Sequence, residues 1–168
     1  KTFGIFGFGS IGKSVAKVAD AFGMKVIVCT RTKPENCPYE LVNKEELFVR
    51  SDYLTIHSPL TPQTKELVNK NTLALMKPTA VLINTARGGV VNEQELADAL
   101  NSGKIAAAGL DVLTVEPMRA DNPLLSAKNC VITPHTAWAS REARQRLIGL
   151  VSGNIKAFLS RKPVNMVS

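Results

Sequence analysis

Residues 2–12 read TFGIFGFGSIG, and this stretch decides the fold. The apolar run Thr2–Phe6 predicts a buried strand, and a helical spacing of apolar residues follows the glycines. The glycines fit G-x-G-x-x-G, in which Gly7 permits a tight turn, Gly9 lets a pyrophosphate approach the backbone, and Gly12 lets helix and strand pack closely. The order of strand, glycine loop and helix predicts a dinucleotide site with its phosphates at the helix N-terminus. An ordinary glycine-rich turn is the alternative interpretation.

The rest of the chain alternates short apolar runs with helical patterns. We expect strands at Thr2–Phe6, Lys25–Cys29, Tyr53–Ile56, Ala80–Asn84, Ile105–Leu110 and Cys130–Thr133. We expect helices at Ser10–Phe22, Lys44–Val49, Asn71–Met76, Asn92–Ser102 and Ser140–Leu159, the last with one buried face. Residues 30–43 are polar and contain two prolines, so they are predicted to be a loop. The pattern predicts an α/β fold with a doubly wound parallel sheet, a Rossmann dinucleotide-binding domain of about six strands with helices on both faces.

The composition excludes several classes of protein. A chain of 168 residues with 45% hydrophobic and 21% charged residues is typical of one globular domain. The net charge of +7 raises the possibility of nucleic-acid binding, but the 21 basic residues are spread along the chain without a basic run, so we expect no nucleic-acid partner. No apolar run approaches the ~20 residues that cross a bilayer, so no membrane partner is expected. Three cysteines at unrelated spacings predict neither a disulfide framework nor a metal site, and they favour a reducing cytoplasm.

The end of the second predicted strand bears on which dinucleotide is bound. An NAD site usually carries an acidic residue there, which holds the ribose 2′-OH. This chain has Thr30, Arg31, Thr32 and Lys33 instead. Hydroxyls and cations suit a 2′-phosphate, which arginine can bind with two hydrogen bonds. We therefore favour NADP(H), with NAD(H) possible; a permissive site beside solvated loop charges is the alternative.

Four segments in order carry a resemblance to a known family. They are GFGSIG from Gly7, INTARGGVVNEQEL from Ile83, AAGLDVLTVEP from Ala107 and TPHTAWAS from Thr133. Together they resemble the D-2-hydroxyacid dehydrogenases, and the HTAWA form is similar to the glycerate dehydrogenase and hydroxypyruvate or glyoxylate reductase branch. The resemblance implies a small 2-oxo or 2-hydroxy acid substrate and a homodimer. It also implies a dinucleotide-binding domain at 1–160 and, at 161–168, a linker toward a substrate domain absent from this chain.

The resemblance places the catalytic residues at Arg87, Glu116 and His135. Arg87 would bind the substrate carboxylate, and His135 would donate a proton to the new alkoxide. A carboxylate such as Glu116 beside the imidazole would favour its charged form. Taken singly, each residue has an ordinary alternative role. Arg87 could cap a turn, Glu116 could be a solvated acid, and His135 could be a core histidine bonded to backbone. Trp138 could close the pocket against small substrates, or be a core or interface aromatic.

Beyond the glycine loop and the residues after the second strand, the resemblance implies further cofactor contacts. Asp111 would hold the nicotinamide carboxamide, and His57 would be a wall residue rather than a second base. The complete set is Gly7, Gly9, Ser10, Ile11, Gly12, Thr30, Arg31, Thr32, His57, Ser58, Pro59, Thr64, Thr85, Ala86, Arg87, Asp111, His135 and Ala137. A dinucleotide-sensing regulatory module without turnover, similar to the corepressors of this family, is the alternative function.

Overall fold

Seven parallel strands form one sheet in the computed structural model of the chain, which describes residues 1–32 and 34–167. The strands are β1 (Thr2–Phe6), β2 (Lys25–Cys29), β3 (Glu40–Leu41), β4 (Tyr53–Ile56), β5 (Val81–Asn84), β6 (Ala107–Leu110) and β7 (Cys130–Ile132). Their order across the sheet is β3-β2-β1-β4-β5-β6-β7, and every neighbouring pair is parallel. The doubly wound parallel sheet is therefore confirmed, with one strand more than the six that we predicted.

The additional strand is β3, in the segment predicted to be a loop. It pairs Glu40 with Ile27 and Leu41 with Val28 at the edge of the sheet. The Glu40 carboxylate accepts hydrogen bonds from Arg50 Nη1 (2.7 Å) and Nη2 (2.8 Å), and Lys25 Nζ lies 3.0 Å from Oε2. These cations lower the pKa of Glu40 to about 2. A two-residue strand is too short to show alternation in the sequence, so a pattern of apolar residues could not predict it.

Within residues 1–32 and 34–167, five α-helices and two short 3₁₀ helices accompany the strands. The α-helices are α1 (Ser10–Ala21), α2 (Lys44–Arg50), α3 (Lys70–Leu75), α4 (Glu93–Asn101) and α5 (Arg141–Leu159), and the 3₁₀ helices cover Gly88–Val90 and Pro123–Ser126. Side chains cap most of the α-helices at the N-terminus: Asn43, Asn69, Asn92 and Ser140 each accept a backbone N–H of the first turn. All five predicted α-helices are confirmed within one or two residues.

The core lies on both faces of the sheet. Side chains of β2 alternate, because successive residues of a strand point to opposite faces. Val26 and Val28 are buried in a cluster with Ala16 and Ala19 of α1. Ile27 is buried in the other, larger cluster, which includes Leu47, Phe48, Leu54 and Ile56. Helices therefore cover both faces, as the sequence predicted.

The chain divides into two units, Lys1–Pro134 and His135–Ser168. The first contains the whole sheet and the second contains α5. No residue of α5 is buried, so the prediction of a buried helix face is wrong. Side chains such as Ile148 and Phe158 are 70% and 72% exposed. Helical periodicity shows that a helix has an apolar face, but it cannot show that the same chain covers it. Within the described residues, no helix is long and apolar enough to cross a membrane.

The strand order fixes where a ligand can bind. From β1 the chain winds outward through β2 to β3, and from β4 it winds the opposite way to β7. Adjacent strands β1 and β4 therefore mark the switch point of the sheet. In open α/β sheets, ligands bind in the crevice outside the carboxyl ends of the strands at this point.

Candidate functional site

The glycine loop occupies the carboxyl end of β1, at the switch point. Gly7 has a φ of 95°, and a Cβ there would lie 2.6 Å from the carbonyl oxygen of His57. A Cβ at Gly12 would overlap the carbonyl oxygen of Gly7. Gly9 is different: its φ is −77°, and no other described atom lies within 4 Å of its Cβ position. Packing and backbone conformation explain the glycines at Gly7 and Gly12, whereas Gly9 borders open space at the N-terminus of α1.

The segment after β4 lies beside this loop. His57 is half-buried, its Nε2 lies 3.1 Å from Thr55 Oγ1, and burial lowers its pKa. A lowered histidine pKa favours the neutral ring at pH 7, which agrees with a wall residue. Ser58 is buried, and among the described residues its Oγ has no hydrogen-bond partner. Thr64 Oγ1 donates to the carbonyl oxygen of Pro59 (2.7 Å) and thereby shapes the turn itself.

The residues predicted to select the dinucleotide follow β2. Arg31 and Thr32 are exposed and Thr30 is half-buried. Thr30 Oγ1 donates to the Thr32 carbonyl oxygen over 3.4 Å. The Gly7 N–H donates to the carbonyl oxygen of Cys29 (2.9 Å), so this segment starts beside the glycine loop. Lys33 lies outside the described residues.

A buried asparagine holds the turn that carries Arg87. Asn84 closes β5 and is fully buried. Its Oδ1 accepts the N–H of Ala86 (3.0 Å), and its Nδ2 donates to the carbonyl oxygen of Arg87 (2.9 Å). Arg87 and Thr85 are exposed. No motif of the sequence predicts a role for Asn84; its signal is a polar amide that ends the apolar run AVLIN directly before a turn.

The loop after β6 carries Asp111 and Glu116. Asp111 is buried and its Oδ1 accepts a 2.5 Å hydrogen bond from Thr133 Oγ1, which joins the ends of β6 and β7. Glu116 is exposed, and its Oε1 accepts the backbone N–H of Leu113 (2.9 Å). The peptide bond between Glu116 and Pro117 is cis.

Close contacts join these loops into one row along the edge. The glycine loop touches the segment after β4, and a Cβ at Gly89 would lie 3.0 Å from Leu60 of that segment. A Cβ at Gly88 would overlap the backbone of Leu113. The turn after β5 therefore packs between the loops after β4 and β6. Within the first unit, the structure brings together the predicted residues of five loops, namely Thr30–Thr32, Gly7–Gly12, His57–Thr64, Thr85–Arg87 and Asp111–Glu116.

His135 and Ala137 belong to the second unit. His135 has a φ of 53°, a left-handed conformation that is uncommon for residues other than glycine. Its carbonyl oxygen accepts the indole N–H of Trp138 (2.8 Å), and both side chains are exposed. Trp138 is thus bound to the backbone of the segment that carries His135. The roles of His135 and Ala137 stay predictions.

The row of loops at the switch point agrees with a comparison of the chain with protein families. The model of the D-isomer specific 2-hydroxyacid dehydrogenase NAD-binding domain matches residues 1–137. The chain belongs to this family. The predicted family is thereby confirmed.

Relatives of this dehydrogenase domain include a hydroxypyruvate reductase of Blautia hydrogenotrophica, 48% identical over all of this chain and 53% of the relative. An acyclic imino acid reductase solved with NADPH and D-Arg has a TM-score of 0.92 and 40% identity, covering 100% of this chain and 54% of that one. A D-isomer specific 2-hydroxyacid dehydrogenase of Lactobacillus delbrueckii, solved with NAD, has a TM-score of 0.88 and 27% identity, covering 98% and 54%. The chain spans about half the length of each of these three proteins.

Proposed function

We propose that the full-length protein reduces a small 2-oxo acid to the D-2-hydroxy acid with NAD(P)H, and that this domain binds the dinucleotide and carries the catalytic residues. The observation that carries the proposal is the row of contacts at the switch point, where the glycine loop, the Arg87 turn and the Glu116 loop share one edge. The name of the Blautia relative, a hydroxypyruvate reductase, supports a small 2-oxo acid as substrate.

Two features of the edge fit a dinucleotide. The open space beside Gly9 lies at the N-terminus of α1, where unpaired N–H groups and the helix dipole favour phosphate. The buried Ser58 hydroxyl, which has no partner among the described residues, lies in the segment that contacts Gly7. A buried hydroxyl without a partner costs free energy, so a ligand that supplies one is stabilised there. The bound dinucleotide supplies the hydride; the protein supplies position and charge.

The residues after β2 support NADP(H) over NAD(H). Arg31 is exposed at the carboxyl end of β2, one strand from the glycine loop, and hydroxyl residues flank it on both sides. A guanidinium can bind a 2′-phosphate through two charge-assisted hydrogen bonds, whereas an aspartate there would repel it. Proteins of this fold are solved with either dinucleotide, so both are compatible with the scaffold.

The chain's own side chains have distinct tasks in the proposed reaction. Arg87 binds the substrate carboxylate, because its guanidinium is charged and exposed on a turn that Asn84 holds rigid. Asp111 holds the nicotinamide carboxamide from the end of β6. His135 donates the proton that converts the alkoxide to the hydroxyl, and Glu116 assists this step, as the family resemblance implies. Trp138 limits the size of the substrate.

Steady-state kinetics of the full-length protein test the proposal. We expect oxidation of NADPH with hydroxypyruvate or glyoxylate, a lower kcat/KM with larger 2-oxo acids, and weaker use of NADH. Binding of NADPH without turnover of any 2-oxo acid in the panel would support the regulatory alternative instead.

We further propose that the full-length protein is a homodimer, as the family resemblance implies, and that it is cytoplasmic, as its cysteines suggest. Exposed apolar side chains on α5, such as Ile148, offer surface of the kind that assemblies bury. The free cysteines Cys29, Cys37 and Cys130 suit a reducing compartment. Light scattering of the full-length protein tests the dimer, since a mass of one subunit at micromolar concentration would contradict it.

A further inference from the structure

Glu93, the first residue of α4, accepts hydrogen bonds through both carboxylate oxygens from a segment that is distant in sequence. Oε1 accepts the backbone N–H of Thr114 (2.6 Å), and Oε2 accepts Asn122 Nδ2 (2.8 Å). Glu93 is half-buried, and its two partners lie on either side of Glu116 along the chain. A carboxylate that accepts two hydrogen bonds at these distances forms strong, charge-assisted contacts.

The contact to Thr114 lies directly beside the one that holds Glu116. Two consecutive backbone amides each donate to a carboxylate: that of Leu113 to Glu116 (2.9 Å) and that of Thr114 to Glu93 (2.6 Å). The orientation of a backbone amide depends on the neighbouring peptide, because they share one residue's φ and ψ. Fixing the amide of Thr114 therefore restricts the amide that orients Glu116.

Two further contacts leave this segment little freedom. The backbone of Gly88 packs so closely on Leu113 that a Cβ would overlap it. Asn122, the second partner of Glu93, accepts the N–H of Leu124 (2.9 Å) and so caps the helix Pro123–Ser126. The segment is thus bound at its start by the Arg87 turn and at its end by a capped helix, with Glu93 binding both parts.

We propose that Glu93 is a positioning residue, which fixes the backbone that orients Glu116 and so sets the rate of the chemical step. This inference rests on the catalytic role of Glu116 under the proposed function. Glu93 is not expected to touch substrate or dinucleotide.

The chain offers a matched control in the same turn of the same helix. Glu95 also ties α4 to another segment, since its Oε2 accepts the backbone N–H of Lys70 (2.5 Å) at the start of α3. Both acids lie in the first turn of α4, where a negative charge interacts favourably with the helix dipole. Only Glu93 contacts the segment that carries Glu116. A comparison of Glu93→Gln with Glu95→Gln therefore separates positioning of Glu116 from general support of α4.

The test is a double-mutant cycle in the full-length protein with hydroxypyruvate and NADPH. Glu93→Gln places an amide NH₂ against one of two donors, so it can keep only one of the contacts. We expect kcat to fall about tenfold, below the hundredfold that a misplacement of about 1 Å can cost, with KM for NADPH unchanged. In the Glu116→Gln background, Glu93→Gln should lower kcat by less than about twofold, because the group it positions is already removed. Glu95→Gln should leave kcat within about twofold of wild type in either background.

The outcomes distinguish this inference from the proposed function. Independent, multiplicative losses from Glu93→Gln and Glu116→Gln, or an equal loss from Glu95→Gln, would overturn the positioning role alone. Unchanged kcat in Glu116→Gln would overturn the catalytic role of Glu116 itself. If Glu93→Gln does not fold, Asn122→Asp carries the same cycle, because aspartate keeps the acceptor that caps Pro123–Ser126 but has no donor for Glu93.

Discussion

Gly9→Ala is expected to weaken dinucleotide binding without weakening the fold. Its φ of −77° is ordinary for alanine, and no other described atom lies within 4 Å of the new Cβ. We expect the free energy of unfolding to change by no more than about 1 kcal/mol. Alanine lowers the backbone entropy of the unfolded chain, which stabilises the fold, but it is a poorer N-cap than glycine, which destabilises it. The methyl group would occupy the space through which a pyrophosphate approaches the N-terminus of α1. The Kd for NADPH should rise at least about tenfold, or about 1.4 kcal/mol.

Gly12→Ala should behave in the opposite way. The added Cβ would overlap the carbonyl oxygen of Gly7, so α1 and the loop must lie farther apart in the folded variant. Overpacking of this kind costs about 1–3 kcal/mol of unfolding free energy. Binding should weaken as well, because the loop that holds the phosphates is displaced. A third variant, Gly153→Ala in α5, adds a Cβ with no other described atom within 4 Å and should stabilise the helix by about 1 kcal/mol without changing Kd.

Urea denaturation and calorimetric titration with NADPH measure both quantities for the three variants. Gly9 does not border the phosphate site if Gly9→Ala binds NADPH as tightly as wild type, or if this variant loses stability as Gly12→Ala does. The first result would show that no phosphate approaches Gly9, and the second would show that its glycine serves the fold.

Three further predictions concern the cofactor, pH and the substrate domain. Arg31→Asp should raise the Kd for NADPH at least about tenfold while changing that for NADH little, through lost pairing and added repulsion; an equal loss for both would contradict a role with the 2′-phosphate. The backbone N–H of Thr2 (2.7 Å) and Lys77 Nζ (3.0 Å) lower the pKa of Asp52, so its stabilisation is present at neutral pH and is lost as the pH falls below about 4. Asp52→Asn should therefore cost about 1–2 kcal/mol of unfolding free energy at pH 7, and the difference from wild type should disappear on acid titration. The 168-residue chain alone should bind NADPH but reduce hydroxypyruvate at least about a hundredfold more slowly than the full-length protein, and comparable rates would contradict the need for a second domain.

The sequence predicts the elements well, because their signals are local. Apolar runs, asparagine caps and glycine stops set the ends of most helices and strands within two residues. The same periodicity does not predict correctly which side chains of a helix are buried. Helical spacing in the first helix singles out Ile11, Val15, Val18, Ala19 and Phe22. Ala19 is buried, but Ile11, Val18 and Phe22 are 67%, 56% and 80% exposed, and Gly12 and Ala16 complete the buried stripe. A helix packed closely on a parallel sheet buries its smallest residues, which hydrophobicity patterns do not rank highly.

The site is predictable only in part, for a related reason. Motif spacing and family resemblance find residues that would touch ligands, such as Arg87 and Glu116. They do not find Asn84, Gly88 or Glu93, whose contacts join residues that other loops supply. Such contacts depend on how the loops pack at the carboxyl edge of the sheet, and this packing cannot be predicted from a local sequence pattern.

The stereochemical course of hydride transfer tests the central claim most directly. The full-length protein is incubated with hydroxypyruvate and NADPH that carries deuterium at the transferable C4 position, and the glycerate is analysed for configuration and label. The account predicts D-glycerate with deuterium at C2. L-glycerate, unlabelled D-glycerate, or no glycerate from a protein that binds NADPH would contradict it.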